Sequence, residues 1–174
     1  MFTLPPVPSW SGLHPLVIHF PIVLLLIAPL FVVIGAALSP RKAKTYLLSA
    51  LLLMVLGTVS TYFAVETGEE AGKLADRTPQ ITQVLQHHEE LAERTRLSFT
   101  ILSVVFAAIV ALPMVLKRDS RTFTTALPIV FLLLYGGAAV FLVNTAHNGG
   151  RLVHEFGVQA LVASPDEATS QQGQ

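Results

Sequence analysis

The sequence predicts an all-α integral membrane protein: a four-helix bundle with both termini on the periplasmic side. Three observations carry that reading. Apolar residues make up 52% of the 174-residue chain and charged residues only 13%, against roughly 25% charged in a soluble domain. Four apolar runs, at 15–38, 46–65, 97–116 and 123–143, each reach the roughly 20 residues needed to cross a bilayer core. Basic residues gather in two short connections: "SPRKAK" holds Arg41, Lys42 and Lys44, and "KRDSR" holds Lys117, Arg118 and Arg121. Short basic loops stay on the cytoplasmic side. The opposite face, with ten of the eleven acidic residues and all six histidines, is therefore placed outside. In a bacterial inner membrane that side is the periplasm.

Each element has its own justification. Residues 1–13 form a Pro-rich arm, expected to be extended, with Trp10 suited to a membrane interface. The first apolar run lacks a basic leader and is too long for a signal-peptide core, so it is expected to be a permanent span. Pro15 suits a first helical turn. Pro21 lies inside the helix, removes a backbone donor and predicts a kink near His19. The second span closes in "AVETGEEAG", where Gly68 and Gly72 are expected to stop it and Glu66 lies at the membrane boundary. Thr78 then predicts an N-cap and Pro79 a first helical residue. The third helix should run over 79–116, about 57 Å at the standard rise. Only about 30 Å fits in hydrocarbon, so its start, with His87 and His88, should project outward. In the fourth span, Gly136, Gly137 and Ala138 leave room for another helix or a flat cofactor to approach. Residues 14–160 thus form the membrane domain, and 161–174 a polar tail expected to be disordered.

The composition excludes several functions. The formal net charge is zero, so nothing points to nucleic acid. There is no cysteine, which removes disulfides, thiolate metal sites, iron–sulfur clusters and covalent haem attachment. No nucleophile elbow or Ser-His-Asp pattern suggests a hydrolase.

The histidines are the remaining signal. Counting outward from the basic end at about 1.5 Å per residue puts His19 and Glu66 near the outer hydrocarbon boundary, His14 and His147 roughly 7 Å above it and His88 roughly 12 Å above it. Three helices thus bring imidazoles, and the second a carboxylate, toward one layer, as cofactor sites in helix bundles require. On the third helix, His88 shares a largely uncharged stripe with Leu91, Ala92, Thr95, Phe99 and Leu102, whereas His87 runs with Glu90 and Arg94 and should face water. His14 and His19 differ by about 140° around an ideal helix, so both cannot point at one axis unless the helix start is irregular. A plainer alternative stays open for each ring, since interfacial histidines also bind headgroups or backbone.

These residues resemble a bacterial family of four-helix inner-membrane proteins of unknown function. Its hallmark, HPLxVHFPI, is matched by His14, Pro15, Leu16, His19, Phe20, Pro21 and Ile22. Thr67-Gly68 resembles the Thr-Gly that closes its second helix, and His88 the His that opens its third. Ala146, His147, Gly149, Gly150, Leu152, Val153 and Gly157 resemble AHxGGxLVYxxG, with His154 in place of the Tyr. The family's occurrence beside c-type cytochrome domains implies electron transfer.

The expectation is a b-type haem subunit of a respiratory or photosynthetic chain. His14, His19, His88, His147 and His154 are the candidate ligands for one or two haems. Lipid, other subunits of a redox complex, a c-type cytochrome or a quinone are the expected partners. Two alternatives stand beside it. One is a non-haem metal site built from His19, His88, His147 and Glu66. The other is a cofactor-free structural or assembly subunit.

Overall fold

The computed structural model describes residues 8–116 and 120–158. The expected disordered tail and the middle of the second basic connection lie outside them. Four long helices account for nearly all of the described chain: α1 (Ser11–Ala37), α2 (Pro40–Lys73), α3 (Pro79–Val115) and α4 (Thr122–His154). Short links make consecutive helices antiparallel. Each helix packs on its two neighbours around a square, α1 and α3 sharing one diagonal and α2 and α4 the other. Among the described residues, the only diagonal contact is between α2 and the first turn of α4.

The bundle is packed inside and apolar outside. Phe99, Phe106 and Phe131 are fully or almost fully buried, with Leu25 and Met54 among them. The Phe106 and Phe131 rings lie 4.7 Å apart and Phe99 meets Tyr135 edge-on at 5.2 Å. Outward-facing residues remain strongly hydrophobic: Val115 is 77% exposed, Leu133 76% and Val104 67%. Such a belt around four helices long enough to span is what lipid, rather than water, accommodates.

Local chemistry sets the helix ends and breaks. Thr78 caps α3, its Oγ1 accepting from the Ile81 N–H at 3.2 Å, with Pro79 next. In α1 the α-helix breaks at Ile18, one turn before Pro21, which has no N–H for the Val17 carbonyl. Pro29 likewise strips the Leu25 carbonyl of its helical donor. The Tyr135 hydroxyl donates to that carbonyl from α4.

Three sequence expectations change. Residues 1–7 of the expected arm lie outside the described residues, and its last three residues are not extended, because a 3₁₀ turn begins the first helix at Ser11. Arg41, Lys42 and Lys44 are not in a loop: α2 starts at Pro40, leaving only Leu38 and Ser39 between the helices. The third helix is not alone in extending past its apolar run, since α2 runs through Gly68 to Lys73 and α4 through Gly149 and Gly150 to His154. Gly157, in the left-handed conformation (φ 66°), turns the chain back after α4. Phe156 and Val158 then pack on Ile81, Leu85 and Leu152, fastening the outer ends of α3 and α4 together.

Candidate functional site

At the acidic end the four helices enclose a cleft of about 370 Å³. Its walls are mainly apolar, with Ile18, Ile22, Leu85 and Leu142 among them, and His14 and His88 both line it. These two residues come from α1 and α3, the helices on one diagonal, so their rings approach from opposite sides.

Each ring is seated and tied by the helix beside it. His14 lies over Gly68 of α2, where a Cβ would come within 2.8 Å of its Cε1. Its Nδ1 is 3.3 Å from Thr67 Oγ1. That hydroxyl already donates to the Phe63 carbonyl at 2.7 Å, so it receives a proton from His14 rather than giving one. His88 lies over Gly149 of α4, with a Cβ there 3.0 Å from its Cε1. Its Nδ1 is 2.9 Å from the Thr145 carbonyl oxygen, which can only accept. Both Nδ1 atoms are therefore donors, so that in the neutral imidazole each Nε2 keeps a bare lone pair. Among the described residues no buried side-chain nitrogen or oxygen lacks a partner. The two Nε2 atoms, which make no hydrogen bond there, thus keep some accessible surface, and both residues line the cleft. Metal-bound histidines are held in this way, one nitrogen ligating while the other donates to a carbonyl or similar acceptor.

Glu69 and Glu89 also line the cleft, as does His154, which is otherwise exposed. The Glu89 carboxylate lies 3.3 Å from where a Cβ on Gly72 would stand. The remaining expectations separate. His19, His147 and Glu66 are exposed on outer faces and do not line the cleft. His19 is turned away because the 140° between positions 14 and 19 persists through the break at Ile18. His147 and Glu66 each neighbour a residue of the inward stripe, Asn148 and Val65 or Thr67, without belonging to it. The set His19, His88, His147 and Glu66 is accordingly not assembled, and no group of three or more His, Asp or Glu among the described residues is placed to hold a metal ion. His87 is exposed, as its charged stripe predicts. Gly136 and Gly137 are exposed with nothing within 4 Å of a Cβ, so among the described residues no other helix of the bundle packs on them.

Residues 11–161 match a family described as predicted membrane protein, DUF2231. The chain belongs to the DUF2231 family. No curated protein and no solved structure matches it. The match runs from the first turn of α1 past the end of α4, so it contains the whole bundle and every residue of the cleft. In this DUF2231 member the Thr-Gly and Gly-Gly pairs acquire a physical role. Gly68 and Gly149 are the seats of the two inward imidazoles, and Thr67 and Thr145 supply the acceptors that set their tautomers. Sequence reasoning missed that role: it read Gly68 as a helix stop and met Gly149 only as part of the family motif. The signal that could have found it is spacing: Thr145 and Gly149 fall on one face of α4, together with Leu142 and Leu152.

Proposed function

We propose that this protein is a b-type haem-binding subunit of a membrane electron-transfer chain, in which His14 and His88 would hold a single haem. The observation that carries the reading is the pair of imidazoles converging from diagonal helices, each tied through Nδ1 and open at Nε2 into one apolar cleft. The residues fit such a group on two counts. Neutral imidazole nitrogens are the ligands of six-coordinate haem. The cleft volume lies within the roughly 300–1,000 Å³ of ligand sites, and as an open cleft it does not have to contain the whole macrocycle. Haem bound there would supply one-electron transfer. The chain's own residues do the rest: Thr67 and the Thr145 carbonyl orient the rings, and Ile18, Ile22, Leu85 and Leu142 exclude water. His19 and His147 are left out of the pair because of their outward facing. The partners of this reading are a c-type cytochrome or a quinone at the outer side of a bacterial inner membrane, with the basic helix ends in the cytoplasm.

The test is the visible spectrum of the full chain purified in detergent, with haem per protein determined for alanine variants. A Soret band that shifts on dithionite reduction is expected. His14→Ala and His88→Ala should each lower haem content severalfold, while His19→Ala, His87→Ala and His147→Ala leave it near the parent value. A colourless preparation without metal would return the protein to a structural or assembly role. Haem that survives both the His14 and His88 substitutions would sink the ligand assignment.

A further inference from the structure

The opposite end of the bundle has a second cavity, of about 290 Å³, between α2, α3 and the first turn of α4. Pro40, Lys44, Ile109, Pro113, Phe123 and Thr124 are among its lining residues, and Lys44 is the only charged one among the described residues. We propose that this cavity holds the headgroup of an anionic phospholipid, with the Lys44 ammonium against its phosphate.

Charge is the first argument. No acidic residue occurs before Glu66, and between Leu97 and His154 the only one is Asp119. Six basic residues share that end with it: Arg41, Lys42, Lys44, Lys117, Arg118 and Arg121. The four ion pairs among the described residues, including Lys73–Glu70 and Arg151–Glu155, all lie toward the other end. Asp119 can offset only one of these six charges, and among the described residues no carboxylate lies at the basic end.

Position is the second argument. Lys44 sits one turn into α2, where the exposed surface changes from basic to apolar. Across the cavity, Leu112, Met114, Val115 and Leu116 at the end of α3 are exposed and apolar. A ligand suited to this boundary has an anionic head and hydrocarbon chains. A basic pocket between spanning helices at the membrane surface is a recurrent lipid headgroup site. Lysine meets a phosphate as a point charge and needs no fixed fork geometry. The end of α3 offers apolar surface for an acyl chain that a free phosphate would not use.

The test is binding to the full-length protein in detergent, read by native mass spectrometry. Dioleoylphosphatidylglycerol, dioleoylphosphatidylcholine and inorganic phosphate are the probes. One phosphatidylglycerol per chain should bind more tightly than phosphatidylcholine, and added salt should weaken it. Lys44→Gln should weaken phosphatidylglycerol binding about fivefold, the worth of one basic residue at a lipid surface. Lys44→Arg should retain it, and Lys42→Gln, outside the cavity, should change it less than Lys44→Gln. Equal binding of the two lipids, or a Lys44→Gln protein that binds like the parent, would overturn the proposal. Displacement of phosphatidylglycerol by millimolar inorganic phosphate would assign the cavity to a free anion instead.

Discussion

Replacing Gly68 by Ala tests the seat under His14, because two effects of opposite sign compete there. Ala in place of Gly inside a helix is worth about 1 kcal/mol through lower conformational entropy in the unfolded chain. Gly137, with nothing within 4 Å of an added Cβ, should show that gain undisturbed. At Gly68 the added Cβ would stand 2.8 Å from Cε1, 3.1 Å from Nδ1 and 3.4 Å from Nε2 of His14. Ordinary contact begins at 3.4 Å, so the ring must retreat about 0.6 Å. Its bond to Thr67 is already long at 3.3 Å, and a further 0.6 Å puts it beyond hydrogen-bond range. Overpacking of this kind costs about 1–3 kcal/mol, which equals or exceeds the propensity gain. Gly137→Ala should therefore raise the thermal midpoint in detergent, read by circular dichroism, by about 2–4 °C per kcal/mol. Gly68→Ala should leave it unchanged or lower, and should also lose haem under the proposed function. A Gly68→Ala protein as stabilised as Gly137→Ala, with unchanged ligand content, would refute the seating argument.

Thr67→Val keeps the shape beside His14 but removes the acceptor at Nδ1, and should weaken haem affinity by about 10–100-fold, as loss of a ligand-orienting partner does; unchanged affinity in a titration would show that the hydroxyl does not orient the ring. Tyr135→Phe leaves the Leu25 carbonyl without its donor and should cost about 1–3 kcal/mol. Adding Pro29→Ala, which restores a backbone N–H to that carbonyl, should recover much of the loss, and the absence of such coupling in a thermal double-mutant cycle would disprove the pairing. A reporter active only in the cytoplasm, fused after Gln174, should stay silent, and activity would reverse the proposed orientation.

Hydrophobicity and punctuation made the helices readable. Four apolar runs gave four spans, Thr78 and Pro79 marked the start of α3, and the stripe through His88 separated it from His87. The helix ends were less legible because local signals yield to packing. Gly68 and Gly149 look like breakers, yet a neighbouring imidazole occupies the space above each, and a larger residue there would displace it. Depth and facing also differ in what determines them. Depth follows from counting residues along a helix, whereas facing needs a rotational origin that only packing supplies. His19, His147 and Glu66 were placed at a plausible height but on the wrong side of their helices. The inward stripe of α4 through Phe131, Tyr135, Ala138, Leu142 and Leu152 would have excluded His147, since five residues from Leu142 is about 140° of rotation.

The positions of the two imidazoles also suggest why they lie on diagonal helices. Toward the acidic end, His14 and Thr67 tie α1 to α2, while the Ile81–Leu85–Leu152 cluster and the His88–Thr145 bond tie α3 to α4. The cleft lies between these two hairpins. A group bound to both Nε2 atoms would join them across the gap, so its binding energy would contribute directly to holding the hairpins together. A ligand bound only to the folded state stabilises that state in proportion to its occupancy. Under the proposed function, haem retention and thermal stability should therefore fall together in the His14 and His88 variants. In the His19 and His147 variants, on outer faces, both should be spared.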